Sequence, residues 1–223
     1  MTVSENIQSL KQEIGNCTLV AVSKTKPVEQ IMEAYNVGHR QFGENKVQEL
    51  AQKYEMLPKD IEWHFIGHLQ RNKIKFIAPF VSLIHGVDSE RLLIAINKEG
   101  TKNNRVIPCL LQVHIADEDT KYGFSEEEIM TLLTGTEIKS LDNIQIKGLM
   151  GMATNTKDKD QVRTEFKSLK TLFENIKNNY SLANMELSEI SMGMSSDYQI
   201  ALHEGSTMVR IGSSVFGARE YKN

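Results

Sequence analysis

Leu19-Val20-Ala21-Val22-Ser23-Lys24-Thr25-Lys26-Pro27 is the stretch on which the fold turns. Four apolar residues, two of them β-branched, give way to a polar loop, and Pro27 sits where the first turn of a helix tolerates a missing N–H. A strand feeding a helix is the reading. The connecting loop contains no glycine, whereas an open doubly wound sheet would usually place a Gly-rich phosphate loop after its first strand. That open sheet therefore ranks second to a closed barrel.

The same alternation continues along the chain. Short apolar runs occur at Leu19 to Val22, His39 to Phe42, Trp63 to Ile66, Val81 to Val87, Val106 to Ile115, Ile144 to Leu149, Leu187 to Ser191 and Met208 to Ile211. Amphipathic stretches lie between them. The clearest has Val162, Phe166, Leu169, Phe173 and Ile176 on one stripe of a long charged helix. Ser125 with Glu128 reads as a capping box. Val3, Ile7, Leu10 and Ile14, stopped by Gly15, predict an extra helix ahead of the first strand. Eight strand-helix units in 223 residues predict an α/β fold, a (β/α)8 TIM barrel at the small end of its size range. No linker-like segment divides residues 1–223, so a single domain is expected.

Composition excludes several classes of function. With 26 Lys+Arg against 29 Asp+Glu, the formal charge is −3. A protein that binds the nucleic-acid backbone usually carries a basic excess, because it works by displacing counterions; no nucleic-acid partner is expected. Two cysteines, Cys17 and Cys109, are too few for a disulfide framework and lack metal-ligand spacing, which fits buried thiols in a reducing compartment. The N-terminus has neither a basic nor an apolar signal region, and no segment approaches the roughly 18 apolar residues of a membrane span. A cytoplasmic protein without a membrane partner is expected.

In a barrel, chemistry gathers at the carboxyl ends of the strands. Val20, Val22 and Lys24 share one face of strand 1, so Lys24 reaches the mouth; partly desolvated, its amine could form an imine with an aldehyde. An ordinary rim lysine snorkelling into water is the competing reading. Lys26, just before Pro27, is the weaker candidate. After strand 8, Gly212 would let the backbone approach an anion while Ser213 and Ser214 donate to it, and Ser191-Met192-Gly193-Met194-Ser195-Ser196-Asp197 ends strand 7 with similar small donors. Each loop read alone is equally an N-cap. Arg210 is a cation inside an apolar run, to be answered either by a ligand or by a carboxylate such as Glu44 or Glu204. His64 and His68 are four apart but straddle a strand end, where that spacing does not align two rings on a metal. Met150 and Met152, like Met192 and Met194, are core filler unless one of them packs on a flat ring.

Six ordered blocks carry a resemblance. Ala21-Val22-Ser23-Lys24-Thr25-Lys26-Pro27, Phe42-Gly43-Glu44-Asn45, Trp63-His64-Phe65-Ile66-Gly67 with Leu69-Gln70 and Asn72-Lys73, Gly148-Leu149-Met150, Ser191-Met192-Gly193-Met194-Ser195 with Asp197, and Val209-Arg210-Ile211-Gly212 with Phe216-Gly217 resemble the pyridoxal phosphate homeostasis proteins. The similarity runs from about residue 19 to 220. It implies a barrel like the N-terminal domain of alanine racemase, with pyridoxal 5′-phosphate (PLP) as cofactor. By that resemblance Lys24 carries PLP as an internal aldimine, Ser195, Gly212 and Ser213 hold the phosphate, Arg210 faces the pyridine nitrogen, and Asn45 and Met150 lie against the cofactor. Three positions depart from the family's habit: Lys46 where tyrosine is frequent, Ser196 for an acidic residue and Ser213 for threonine. Lys46 weakens the expectation of a ring-packing role there.

The resemblance and elementary chemistry together suggest a holder of PLP rather than a catalyst. An arginine at the pyridine nitrogen disfavours protonation there and weakens the electron sink that carbanion chemistry needs. The sequence runs only about a dozen residues past strand 8, so a second domain bearing a catalytic tyrosine is not expected. The expectation is a monomeric PLP carrier and buffer that supplies PLP-dependent apo-enzymes. A small amino-acid racemase is the alternative, and a phosphosugar enzyme without PLP ranks third.

Overall fold

The computed structural model describes residues 2–117 and 122–217. Eight parallel strands close on themselves in chain order: β1 (Thr18–Val22), β2 (Gln41–Glu44), β3 (Glu62–Phe65), β4 (Leu83–Val87), β5 (Ile107–Val113), β6 (Ile144–Gly151), β7 (Met185–Met194) and β8 (Met208–Ile211). The barrel is sealed where β8 pairs with β1, from Thr18 opposite Met208 to Ala21 opposite Ile211. The helices are α1 (Val3–Ile14), α2 (Val28–Asn36), α3 (Val47–Met56), α4 (Glu90–Lys102), α5 (Glu126–Thr134), α6 (Lys159–Asn179), α7 (Tyr198–His203) and α8 (Ser213–Phe216). None of the described helices is long and apolar enough to cross a membrane.

Because successive side chains on a strand point to opposite faces, each strand feeds two cores. Leu19, Ala21, Phe42, Trp63, Phe65, Ile84 and Leu111 face outward and pack beneath the helices, where α6 contributes Val162, Phe166, Leu169, Phe173 and Ile176. Val20, Leu83, Leu110, Met150 and Met208 face inward and form a small separate apolar plug in the lumen. The expected caps form: Ser125 accepts from the Glu128 amide while the Glu128 carboxylate accepts from the Ser125 amide, and α1 stops at Gly15 with φ 59°.

Several elements depart from the sequence pattern. Strand 2 starts later than the apolar run suggests. The His39 amide donates to the Ala34 carbonyl, closing the turn after α2, and its ring nitrogen Nε2 lies 2.7 Å from the Gln41 carbonyl, so pairing begins at Gln41. It ends later too, because the Glu44 carboxylate is buried against a lysine instead of facing water. The third crossover carries no α-helix, only a 3-10 helix at Arg71–Phe76. Its one buried residue, Ile74, lies three before the buried C-cap residue Ile77, a spacing that matches the 3-10 repeat. Pro27 is the N-cap of α2 instead of its first helical residue.

Strand β6 is longer than its apolar run and changes phase midway. Ile144 and Ile146 pack outward, yet so does Leu149, and Met150 points into the lumen. The pairing shifts register against β5 between Cys109 and Leu110 and against β7 between Ile146 and Gly148. This is a bulge, and it re-aims the upper half of the strand. Gly148 makes it possible, since a Cβ there would stand 1.7 Å from the Glu189 carbonyl oxygen. Replacing Gly148 with alanine is therefore expected to cost more than about 2 kcal/mol of stability, read from urea unfolding midpoints. An unchanged midpoint would show that the bulge does not depend on glycine.

Candidate functional site

Closure of the barrel brings the first and last strand ends together. Lys24 lies two residues past β1, half-buried. Gly212, one residue past β8, is so near that a Cβ on it would lie 3.4 Å from the Val22 carbonyl oxygen. The Gly212 amide donates to Ser195 Oγ at 3.2 Å, which joins the loop after β8 to the loop after β7. That second loop is a tight turn, with the Asp197 amide donating to the Met194 carbonyl and Asp197 Oδ1 accepting from the Met194 amide. Gly212 is the N-cap of α8, so the amides of Ser213 and Ser214 open a helix that offers them no carbonyl of its own. Asn45 follows β2 directly and is half-buried at the same end. Met150 belongs to the lumen plug beneath.

Lys26, the weaker candidate, has a structural task. Its Nζ donates to the carbonyls of Phe216 and Gly217 at 3.1 and 3.3 Å, placing a cation at the C-terminal end of α8. The loop after β1 is thereby tied to the far end of the helix whose start lies beside Ser195.

Arg210 is 4% exposed and faces into the lumen. The carboxylates offered as its structural partners are engaged elsewhere, Glu44 with Lys53 and Glu204 with Arg163. Arg210 instead uses Nη1 on the Ser191 carbonyl and hydroxyl at 2.7 and 2.6 Å, and Nη2 on the Gly151 carbonyl at 3.1 Å. Burial brings its pKa down to about 10, with Asp197 opposing, so the guanidinium stays charged at neutral pH. A guanidinium has five N–H donors, so the Nε hydrogen and one on Nη2 remain to meet a ring nitrogen or another acceptor.

Beneath Arg210 runs a chain that the sequence reading missed. Ser191 Oγ is 2.9 Å from His85 Nδ1, and His85 Nε2 is 2.9 Å from His64 Nδ1. One proton pattern satisfies every contact: Arg210 donates to the Ser191 hydroxyl, that hydroxyl to His85, and the His85 Nε2 hydrogen to His64. Both imidazoles must then be neutral. Burial supplies the reason, pushing His64 down to about 4 and His85 well below its ordinary value. The available signal was His85, polar within the apolar run Ile84-His85-Gly86-Val87. His68 takes no part; it pairs with Asp88 at 3.1 Å and stacks on Tyr122. Among the described residues no group of three His, Cys, Asp or Glu side chains could hold a metal.

The family model for the alanine racemase N-terminal domain matches residues 2–220. A pyridoxal phosphate homeostasis protein of Aquifex aeolicus is 41% identical over 98% of this chain and 96% of its own length. The chain belongs to this family. Among solved structures similar to it is PipY of Synechococcus elongatus PCC7942 with PLP bound, 32% identical, with a TM-score of 0.88, covering 97% of this chain and all of that one. Alanine racemase from Bartonella henselae shares the fold at 17% identity and a TM-score of 0.73, and this chain spans 58% of it. The barrel reading is thus correct, and the family resemblance with it.

The neutral imidazoles set a pH dependence with a definite sign. As pH falls below 6.5 the unfolded chain takes up a proton at each histidine, while the folded chain does not protonate His64 until about pH 4. Stability is therefore lost as pH falls through that window, at up to about 1.4 kcal/mol per pH unit for each such group. Urea unfolding of wild type and His64→Gln at pH 7, 6 and 5 is expected to give a slope shallower by one proton in the variant. Equal slopes would show that His64 is not held neutral.

Proposed function

We propose that this chain is a single PLP-binding domain that holds the cofactor on Lys24 and serves PLP homeostasis as a carrier, with little turnover of its own. The observation that carries the reading is the convergence at one barrel end of a half-buried primary amine, a linked pair of small-residue loops, and a buried guanidinium paired with no carboxylate among the described residues. These groups fit PLP by their chemistry. PLP supplies an aldehyde that condenses reversibly with a primary amine. Lys24 provides that amine, Ser195, Gly212 and Ser213 provide donors for the phosphate, and Arg210 offers its remaining N–H groups to the pyridine nitrogen. Asn45, half-buried after β2, and Met150, in the lumen plug, would flank the cofactor.

The protein's own groups explain why holding prevails over turnover. Arg210 is a donor that keeps its protons at neutral pH, so it would hydrogen-bond to a ring nitrogen without transferring a proton. The groups behind it are a serine and two neutral imidazoles, none of which places an acid on that nitrogen. An unprotonated ring is a weak electron sink. The names and lengths of relatives support the same division: relatives called homeostasis proteins are matched over 96% and 99% of their length, the alanine racemase over 58%. PipY, whose solved structure contains PLP, supports the ligand. We take PLP-dependent apo-enzymes as recipients, a monomer as the working form and the cytoplasm as the compartment.

Purified protein incubated with PLP is expected to show a visible absorption band, and borohydride should fix one cofactor mass on the peptide containing Lys24. Lys24→Ala should lose both. A colourless wild-type protein with no fixed mass would refute the reading. Sustained, Lys24-dependent conversion of a single-enantiomer amino acid to its mirror image would replace the carrier with a racemase.

A further inference from the structure

An amine on Lys24 that meets an aldehyde has to be aimed. A lysine on a loop has four rotatable side-chain bonds, and its amine can meet an aldehyde at a fixed place only if the backbone beneath is fixed. The residues on either side of Lys24 are gripped by one buried cluster. Lys53, on α3 and 4% exposed, spends its three ammonium hydrogens on the Ser23 carbonyl at 2.8 Å, Glu44 Oε1 at 2.7 Å and Glu49 Oε1 at 2.7 Å. Ser23 also donates its hydroxyl to Glu44 Oε1 at 2.6 Å, and the Thr25 amide donates to Glu49 Oε1 at 2.6 Å. Ser23 is thus bound to Lys53 and Glu44 and Thr25 to Glu49, and Lys53 joins the two carboxylates into one cluster.

Two observations suggest that this cluster does not exist for stability alone. Thr25 adopts φ 64°, a left-handed conformation that L-residues other than Asn and Asp seldom take and that costs of order 1 kcal/mol or more. Glu44 is fully buried, and its second oxygen, Oε2, has no hydrogen-bond partner among the described residues. Apolar packing at such a site is often as stable as an ion pair or more so. What the polar cluster adds is direction, since Ser23 and Thr25 cannot turn without breaking charge-assisted bonds.

We propose that Glu44, Lys53 and Glu49 form a positioning cluster for Lys24, holding the backbone at Ser23 and Thr25 so that the lysine amine meets the aldehyde of PLP. The inference rests on the reading that Lys24 carries PLP. In that condensation the amine nitrogen forms the new C=N bond, the C=O bond breaks, and the two amine hydrogens leave with the oxygen as water. The cluster touches none of these atoms and acts only through Lys24.

The test compares PLP with pyridoxine 5′-phosphate, which has the same ring and phosphate but no aldehyde. Glu49→Ala removes the acceptor for the Thr25 amide at a partly exposed position, and Glu49→Gln keeps a carbonyl oxygen there. A charge-neutral double variant, Glu44→Gln with Lys53→Met, removes the buried pair. Glu49→Ala is expected to weaken PLP about tenfold or more while changing pyridoxine 5′-phosphate by about twofold at most, because misplacement of a reacting group penalises only the step that needs it. Glu49→Gln should recover most of the loss, and the double variant, if it folds, should show the same split. Equal weakening of both ligands, or unchanged PLP affinity in Glu49→Ala, would overturn the positioning role. Wild-type protein with no borohydride-fixed mass on Lys24 would remove both the function reading and this inference. Wild-type fixation with no split in the variants would remove this inference alone.

Discussion

Everything at the candidate site depends on the hydrogen-bonded seam between β8 and β1. The register that sets Val20 opposite Arg210 places the end of the first strand beside the start of the last loop, so residues near the two ends of the sequence become neighbours. The Lys26 bonds to the carbonyls ending α8 reinforce the seam on the outside. A barrel closed in chain order has this property necessarily. Within it, an amine on the first loop and a donor cluster on the last can face one ligand without any moving part.

The lumen is built in two materials. Its apolar plug of Val20, Leu83, Leu110, Met150 and Met208 gives rigidity, and a row of polar groups from Arg210 through Ser191 and His85 to His64 crosses the same interior. Polar groups buried in this way are tolerable only when satisfied, and a half-satisfied row would cost more than apolar replacement. Here each link supplies the next. The row fixes the guanidinium from below, and with a pKa of about 10 it stays charged at neutral pH. The Arg210 charge is thus held by two carbonyls and a hydroxyl; among the described residues no carboxylate forms an ion pair with it, and Asp197 favours its charged form.

Legibility in the sequence followed the periodicity of burial. The long stripe on α6, the N-terminal helix and the capping box at Ser125 were readable because one face of each is apolar and the rest is not. Candidate residues at strand ends were readable because a barrel puts them all at one mouth. What escaped were features whose reason is tertiary. Strand 2 continues through Glu44 because Lys53 arrives from another element, and nothing local marks that carboxylate as buried. Strand 6 inverts its phase at Gly148, and a pattern with period two cannot announce where it will skip. Local spacing sets His64 against His68, its neighbour in sequence, and not against His85, because the contact joining His64 to His85 crosses between strands.

The two buried charge systems divide the work in a way that follows from where each sits. The lumen row lies among strands that are mutually paired and cannot drift, so two main-chain carbonyls and a hydroxyl backed by two imidazoles suffice to orient Arg210. Lys24 stands on a loop, outside the ladder, where pairing ends with the Ser23 amide on the Gly43 carbonyl. Orientation there needs stronger bonds, and ionised groups provide them. The strained φ at Thr25 marks the point at which the chain yields to that hold. On the proposed function, a site that binds and releases an aldehyde must keep its amine aimed when nothing is attached to it, because an amine that relaxed into water would have to be re-ordered at every encounter. Fixing the loop beforehand moves that entropic cost from binding to folding, where the closed barrel has already met most of it.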